Sequence, residues 1–381
     1  MKSIINKKRI LHIQLLPLLS GVQNVMLNLI TNLDSDEFEF SVISAPDGPL
    51  VNKLKELKIK HYQVPGLVRK ISLKDLFVLI RIYKICRMGK FDIVHTHSSK
   101  TGFIGRISAR FAGIKVVIHT IHGFPFNPFQ PLPKQIFFEL LEKIAAFFCD
   151  RAISVNKTER QLAIEKHIIP EKKILTIYNG IGEASPHSEI FREEFGFHKD
   201  DKIFGSVCRF SKQKNIISMI KIAIEIVEAN DKIKFVFIGD GELWEDAKRM
   251  VRAKNLSAEI LLPGWKSNVA DWLAFFDVFV LYSLWEGLSL SILEAMSAGL
   301  PIIASDIKGN NELVKNGYNG FLVKIGNKDS FIKNVLWIST HDREREEMGK
   351  NSLKLVREKF ALNRFIESYK NLYINLYQSK L

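Results

Sequence analysis

Two carboxylates, Glu286 and Glu294, stand eight residues apart in WEGLSLSILEAMSAGLPIIAS, a stretch with no other charge. Upstream, DVFVLYS reads as a strand ending near Ser283. Leu290–Ala298 has helical composition and is stopped by Gly299 and Pro301. Glu286 then falls on a strand-to-helix loop and Glu294 in the first helical turns. Gly287, Ser289 and Ser291 are small enough to let a ligand approach the helix N-terminus, where free backbone N–H groups suit a phosphate. A fully helical spacing of eight would set the two Cα atoms about 12 Å apart. The two carboxylates can therefore meet opposite ends of one extended ligand. The plainer alternative is that Glu286 favours the helix N-terminus and Glu294 is solvated.

Other residues invite chemical readings. Arg209 and Lys214 follow the strand KIFGSVC, as cations at a strand end or as a surface pair. His122, in IHGFPF, follows a strand end, where a core or capping histidine is the ordinary outcome. His95 and His97 suggest a metal, but two strand histidines without a third ligand are a weak signal. Asp34-Ser35-Asp36 lies in a charged turn after a helix and reads as solvated. Gly21 lies in the first loop, where a missing side chain lets backbone approach a phosphate. Gly239 and Gly241 form a GDG turn. The fingerprint G-x-G-x-x-G is missing, which argues against an NAD enzyme. The three cysteines (Cys86, Cys149, Cys208) are far apart and exclude a disulfide framework and a Cys-based zinc site.

The elements that must position these groups alternate. RILHIQLL, FEFSVIS, FDIVHTH, KVVIHTI, RAISV and ILTIYNG read as strands, with helices over Val22–Leu33, Leu73–Met88 and Gln135–Phe148. After the linker NGIGEASPHSE, the strands KIFGSVC, KFVFIGDG, EILLPGW, DVFVLYS, LPIIAS and GFLVK repeat the plan. The fold class is α/β, with two doubly wound parallel-sheet domains over 1–185 and 186–360. A helix in 361–381 returns to the first domain. Ligands in such sheets bind beyond the carboxyl ends of the strands, so the cleft between domains is the expected site. The start, MKSIINKKRILHIQLLPLLSG, imitates a secretory signal, but His12 and Gln14 interrupt its apolar run. It reads as a buried first strand. No apolar run of about 18 residues suggests a spanning helix. Of 381 residues, 55 are Lys or Arg and 41 Asp or Glu. Up to Ser185 there are 27 basic and 15 acidic residues, so the first half holds most of the net charge of +14 and suits an anionic partner.

Several ordered motifs together resemble family-four retaining glycosyltransferases, which have the GT-B fold. EGLSLSILEAMSAGLPIIAS resembles their E-x7-E signature, SGVQNVMLNLI their first glycine loop, VCRFSKQKN their Arg-x4-Lys donor segment and FVFIGDGEL the strand-loop after it. HTHSSKTGFIGRISARFAG and VVIHTIHGFPF are similar to the branch that builds bacterial capsule, exopolysaccharide and O-antigen units. The resemblance implies that Glu286 contacts donor-sugar hydroxyls and Glu294 the ribose. It gives backbone N–H groups of Leu288, Ser289 and Leu290 to sugar and phosphate, and Gly21, Gly239 and Gly241 to the donor. It implies that Arg209 and Lys214 stabilise the leaving diphosphate without a metal, that His122 touches the donor sugar, and that Lys100 and Thr101 lie in the acceptor loop. Ser289 and Asn215 stand where the family usually has glycine; the first would reshape the sugar pocket.

The implied activity is transfer from a UDP-sugar, an N-acetylhexosamine, to a polyprenyl-diphosphate-linked saccharide. The attack is front-face, with the leaving phosphate taking the acceptor's proton and no cofactor. Three rivals stay open: a GDP-sugar donor, a nucleotide-sugar epimerase of the same fold, and a basic nucleic-acid binder. The last lacks any recognition module and dense basic runs, so nucleic acid is not an expected partner.

One helix suggests where the protein works. In LKDLFVLIRIYKICRMGK, residues Lys74, Phe77, Arg81 and Lys84 share a face, flanked by Lys70, Arg87 and Lys90. A phenylalanine among cations suits a lipid headgroup boundary, each cation contributing on the order of 1 kcal/mol on an anionic leaflet. The alternative is a solvated basic face. The expectation is reversible attachment to the inner face of a cytoplasmic membrane.

Overall fold

The computed structural model describes residues 7–186, 188 and 190–381. Within the linker, His187 and Glu189 lie outside the described residues, as do Met1–Asn6 at the start. The chain forms two compact units. One comprises Met1–Gly180 with Leu362–Leu381, the other Ile181–Ala361. The first unit thus closes at Gly180, ahead of the boundary expected at Ser185.

The first unit runs β1 (Lys8–Ile13), α1 (Gly21–Asn32), β2 (Phe38–Ser44), α2 (Pro49–Glu56), β3 (Lys60–Gln63), α3 (Asp75–Gly89), β4 (Ile93–His97), α4 (Ser99–Phe111), β5 (Val116–Ile121), α5 (Leu132–Phe147), β6 (Arg151–Ser154), α6 (Lys157–Glu165) and β7 (Ile174–Thr176). The seven strands are parallel in the order β3-β2-β1-β4-β5-β6-β7. Helices on both faces bury such strands twice, so they read as apolar runs. In VVIHTI, the whole of β5, every residue is buried. The core gathers Leu11, Ile13, Ile43, Val78, Ile82, Val94 and Val117. Each fully buried side chain of this kind contributes roughly 1.5–3 kcal/mol.

The second unit runs β8 (Lys202–Val207), α7 (Ile216–Ala229), β9 (Ile233–Ile238), α8 (Trp244–Ala253), β10 (Ile260–Gly264), α9 (Val269–Phe275), β11 (Val278–Leu281), α10 (Leu290–Ser297), β12 (Ile302–Ser305), α11 (Asn310–Leu313), β13 (Gly320–Val323), α12 (Lys328–Thr340) and α13 (Asp342–Leu355). Its parallel order, β10-β9-β8-β11-β12-β13, repeats the first unit's plan. Each order reverses at one point, between β1 and β4 and between β8 and β11. A ligand site is expected outside the carboxyl ends of those pairs.

The last helix, α14 (Leu362–Gln378), belongs to the first unit. Lys370 pairs with Glu37 at 3.0 Å. The buried Tyr373 hydroxyl meets His95 Nδ1 at 2.7 Å, and Tyr369 meets Thr120 Oγ1 at 2.9 Å. Among the described residues, no helix is long and apolar enough to cross a membrane.

Candidate functional site

In the second unit, the loops after β8 and β11 lie at the reversal point. The first carries Arg209, Gln213 and Lys214, the second Trp285 and Glu286. They are stitched together: the Gln213 side-chain amide donates to the Trp285 carbonyl at 2.9 Å, and the Leu284 N–H donates to the Gln213 carbonyl at 2.8 Å. Across this seam Lys214 Nζ meets Glu286 Oε1 at 2.5 Å, with the side chains 18% and 8% exposed. Burial disfavours the Lys214 charge, but Glu286, by its charge and hydrogen bond, outweighs this and holds the ammonium above its usual pKa. Two residues read separately from the sequence thus form one pair. Arg209 faces elsewhere, paired with Glu242 at 3.0 Å with both half-exposed.

Glu294 lies inside α10. Burial pushes its carboxyl up to about 7, and its side chain has no hydrogen-bond partner among the described residues. A desolvated carboxyl without a partner is a ready acceptor for hydroxyls. Ser289 is the N-cap of α10. Its buried hydroxyl accepts from the Ile292 N–H at 3.4 Å. Where the sequence suggested a hydroxyl reshaping a sugar pocket, the structure turns that hydroxyl into the helix. Leu288 is buried and Leu290 opens the helix, whose first N–H groups lack intrahelical partners. Gly239 and Gly241 have φ of 142° and 154°. A Cβ there would stand 1.9 Å from the Cys208 carbonyl oxygen and 2.5 Å from that of Phe210. Close passage of the loop after β9 over the loop after β8 thus requires both glycines, whatever binds nearby.

In the first unit the strand ends bring histidines together. His12 Nδ1 meets His97 Nε2 at 3.0 Å, and His97 Nδ1 meets His122 Nε2 at 3.1 Å, a chain across β1, β4 and the end of β5. His12 is the third histidine that the sequence reading lacked beside His95 and His97; ligand atoms of the three lie within 4.8 Å of one another. Both nitrogens of His97 are engaged in the chain, and those of His95 meet Tyr373 and Thr120. A metal would have to displace those bonds.

Burial lowers the pKa of His12 to about 3 and of His122 to about 4. It holds His95, His97 and His119 well below the usual value, and the Arg106 charge adds to this at His119. All five are neutral near pH 7. A neutral His97 donates to one neighbour and accepts from the other. His12 Nε2 is buried without a partner among the described residues. A bare lone pair there costs less than an orphaned N–H. The chain therefore runs from His12 to His122, which accepts at Nε2 and presents Nδ1–H.

The remaining expected residues divide. Gly21 is the exposed first residue of α1 rather than a loop residue, with Ser20 before it as N-cap. Lys100 Nζ pairs with Asp75 at 2.6 Å and donates to the Lys70 carbonyl at 2.7 Å. Thr101 is fully buried, its hydroxyl donating to the His97 carbonyl. It fastens α4 to β4 and is not a surface for an acceptor. The signal for His12 in the sequence is a polar residue interrupting an apolar strand.

Comparison with known proteins adds to this geometry. The model for Glycosyltransferase Family 4 matches residues 19–184, and that for Glycosyl transferases group 1 matches residues 187–355. The chain is 39% identical, over 100% of both lengths, to the UDP-Gal:alpha-D-GlcNAc-diphosphoundecaprenol alpha-1,3-galactosyltransferase of Escherichia coli. It is 25% identical to the capsular polysaccharide biosynthesis glycosyltransferase CapM of Staphylococcus aureus, over 84% of this chain and 87% of that one. Among solved structures, Anabaena HepE in complex with UDP-glucose superposes with a TM-score of 0.81 at 17% identity, over 96% of this chain and 99% of that one.

Proposed function

The chain belongs to the family-four, group 1 glycosyltransferases and has their GT-B fold, and from that premise we propose that it transfers a hexose from UDP to a polyprenyl-diphosphate-linked saccharide during assembly of a bacterial surface polysaccharide. The observation that carries the reading is the full-length likeness to a transferase whose name states such a donor and acceptor. Glu286 and Lys214, already paired at the reversal point of the second sheet, support it.

In this structure each neutralises the other. A donor replaces both contacts, its diphosphate taking Lys214 and its sugar hydroxyls taking Glu286. Charge that grows on the departing phosphate then meets a preorganised cation, so the reaction needs no metal. The acceptor hydroxyl oxygen bonds to the anomeric carbon on the face from which UDP departs. Its proton passes to the leaving phosphate oxygen. Glu294 holds the ribose, and the Nδ1–H of His122 meets a donor-sugar oxygen. Attachment to an anionic membrane surface through the first unit follows from such an acceptor, whose lipid stays in the bilayer.

The test offers the purified protein UDP-galactose, UDP-N-acetylglucosamine or a GDP-sugar, with a synthetic GlcNAc-diphospho-lipid and with EDTA present. The galactose of the Escherichia coli relative's name and the N-acetylhexosamine expected from the motifs are its two leading arms. The expected result is an α-linked disaccharide lipid with stoichiometric UDP. Preference for the GDP-sugar, or UDP-sugar conversion without acceptor, would overturn the reading.

A further inference from the structure

The first unit contains an open cavity of about 810 Å³, walled by the loop after β1 and by α3, α4 and α5. This is the size of a small-molecule site. Leu16, Leu76, Leu79, Phe103, Phe138 and Leu141 give it an apolar interior. Ser20, Ser98, Ser99 and Lys100 also line it, and they come from the carboxyl ends of β1 and β4, where this sheet's order reverses. The apolar lining runs out to the surface, because Ile71, Leu76 and Phe137 are both part of the wall and exposed.

Four charged residues line the cavity, and three are compensated. Asp75 pairs with Lys100 at 2.6 Å, and Glu142 is held by the buried Arg106 at 2.7 Å. Arg69, exposed at the mouth of the cavity beside the equally exposed Lys70, has no ion-pair partner among the described residues. The cavity thus joins an apolar interior to one uncompensated positive charge. That complements an amphiphile with an anionic head. A sugar would leave most of this wall without polar partners, and a neutral lipid would gain nothing from Arg69, which water already solvates.

We infer that this cavity binds the acceptor's lipid, with the isoprene units next to the diphosphate inside it and the diphosphate against Arg69. The inference rests on the polyprenyl-diphosphate reading of the function. It makes the lipid, and not only the sugar, part of what the enzyme recognises.

Farnesyl diphosphate is a soluble probe of this chemistry, and calorimetry reads its binding to the full-length protein without any membrane. Farnesyl diphosphate should bind at least ~10-fold more tightly than either inorganic diphosphate or farnesol, since both ends contribute. Leu76→Asp and Phe137→Asp change exposed wall residues, so the fold survives; each should weaken the probe at least ~10-fold while UDP binding is unchanged. Arg69→Ala should abolish the advantage over farnesol. No binding of the probe by the wild type, equal binding of a short-chain phosphatidylglycerol, or unaltered binding in all three variants would overturn the inference. The two readings fail separately. Transfer to a GlcNAc-diphospho-lipid with unchanged KM in Leu76→Asp sinks the cavity and leaves the transferase. A wild type that binds farnesyl diphosphate yet transfers no sugar does the reverse.

Discussion

Lys214 and Glu286 lie in a seam where neither charge is left alone, so their replacement has unequal effects. Lys214→Ala removes the cation that meets the leaving diphosphate and leaves Glu286 buried without its partner, so kcat should fall at least ~10²-fold and the melting temperature should fall as well. Near-normal turnover would exclude Lys214 from the chemistry. Glu294 gives a prediction in pH. Its folded pKa of about 7 exceeds the ordinary carboxyl value of 4.5, so the folded protein holds a proton that the unfolded chain has lost between those values. Stability is therefore reduced above pH 7 and recovered as the pH falls through 7 towards 4.5. Glu294→Gln should stabilise the second unit at pH 8, by on the order of 1–3 kcal/mol, and hardly at pH 5. Equal Tm shifts at both values would mean that burial does not govern this carboxyl. In the same variant UDP should bind more weakly, whereas Glu286→Gln should mainly slow turnover. The eightfold spacing of the two carboxylates placed one on a loop and one on a helix. It was silent on the Lys214 contact, because a pair 72 positions apart in the chain is made by two strand ends meeting.

The strands were legible because parallel sheets demand continuous apolar runs: FEFSVIS coincides with β2. By contrast β3, with the sequence KHYQ, is a half-exposed edge strand with no such run to mark it. For helices, periodicity found the segments and misjudged a face. On α3 and the two residues ahead of it, Lys74, Phe77, Arg81 and Lys84 are exposed as expected, but so are Leu73, Leu76 and Ile80. On α5 the inversion is larger. The helix buries Glu142, Ala145 and Ala146 and exposes Leu132, Ile136, Phe137, Leu140, Ile144 and Phe147. A hydrophobic pattern says that a stripe exists, and it cannot say that small residues are the ones covered. An exposed apolar stripe beside a basic one fits an interfacial surface. The protein should sediment with anionic liposomes at low salt and be only partly released by high salt, since screening weakens the cations and leaves the apolar stripe. Lys74, Arg81 and Lys84 all changed to Glu should remove the salt-sensitive part. Ile136→Asp with Leu140→Asp should remove the rest. A protein that stays in the supernatant at low salt would refute membrane attachment through these helices.

The histidines packed at the centre of the first unit set its response to acid. Their pKa values are lowered in the folded state, so below about 6.5 the unfolded chain takes up protons that the fold refuses. The stability they allow is complete above that pH and is lost as pH falls towards the folded values, about 4 for His122 and about 3 for His12. Each costs up to about 1.4 kcal/mol per pH unit in that window. Calorimetry at pH 7.5 and 5.5 should show the first unit's transition moving down much further than the second's; parallel shifts would contradict this. The same unit depends on α14, whose Tyr369 and Tyr373 complete the hydrogen bonds of Thr120 and His95. The second unit is continuous in the chain, and the first is not: its final helix is made after the whole of the second unit. On the ribosome the half that begins first is therefore the half that is finished last. Until residues 362–378 emerge, a nascent chain carries β4 and β5 with buried polar partners still missing, while the later-made unit is already complete in sequence. A premature stop near Ala361 would yield a second unit complete in sequence tethered to an unfinished first one.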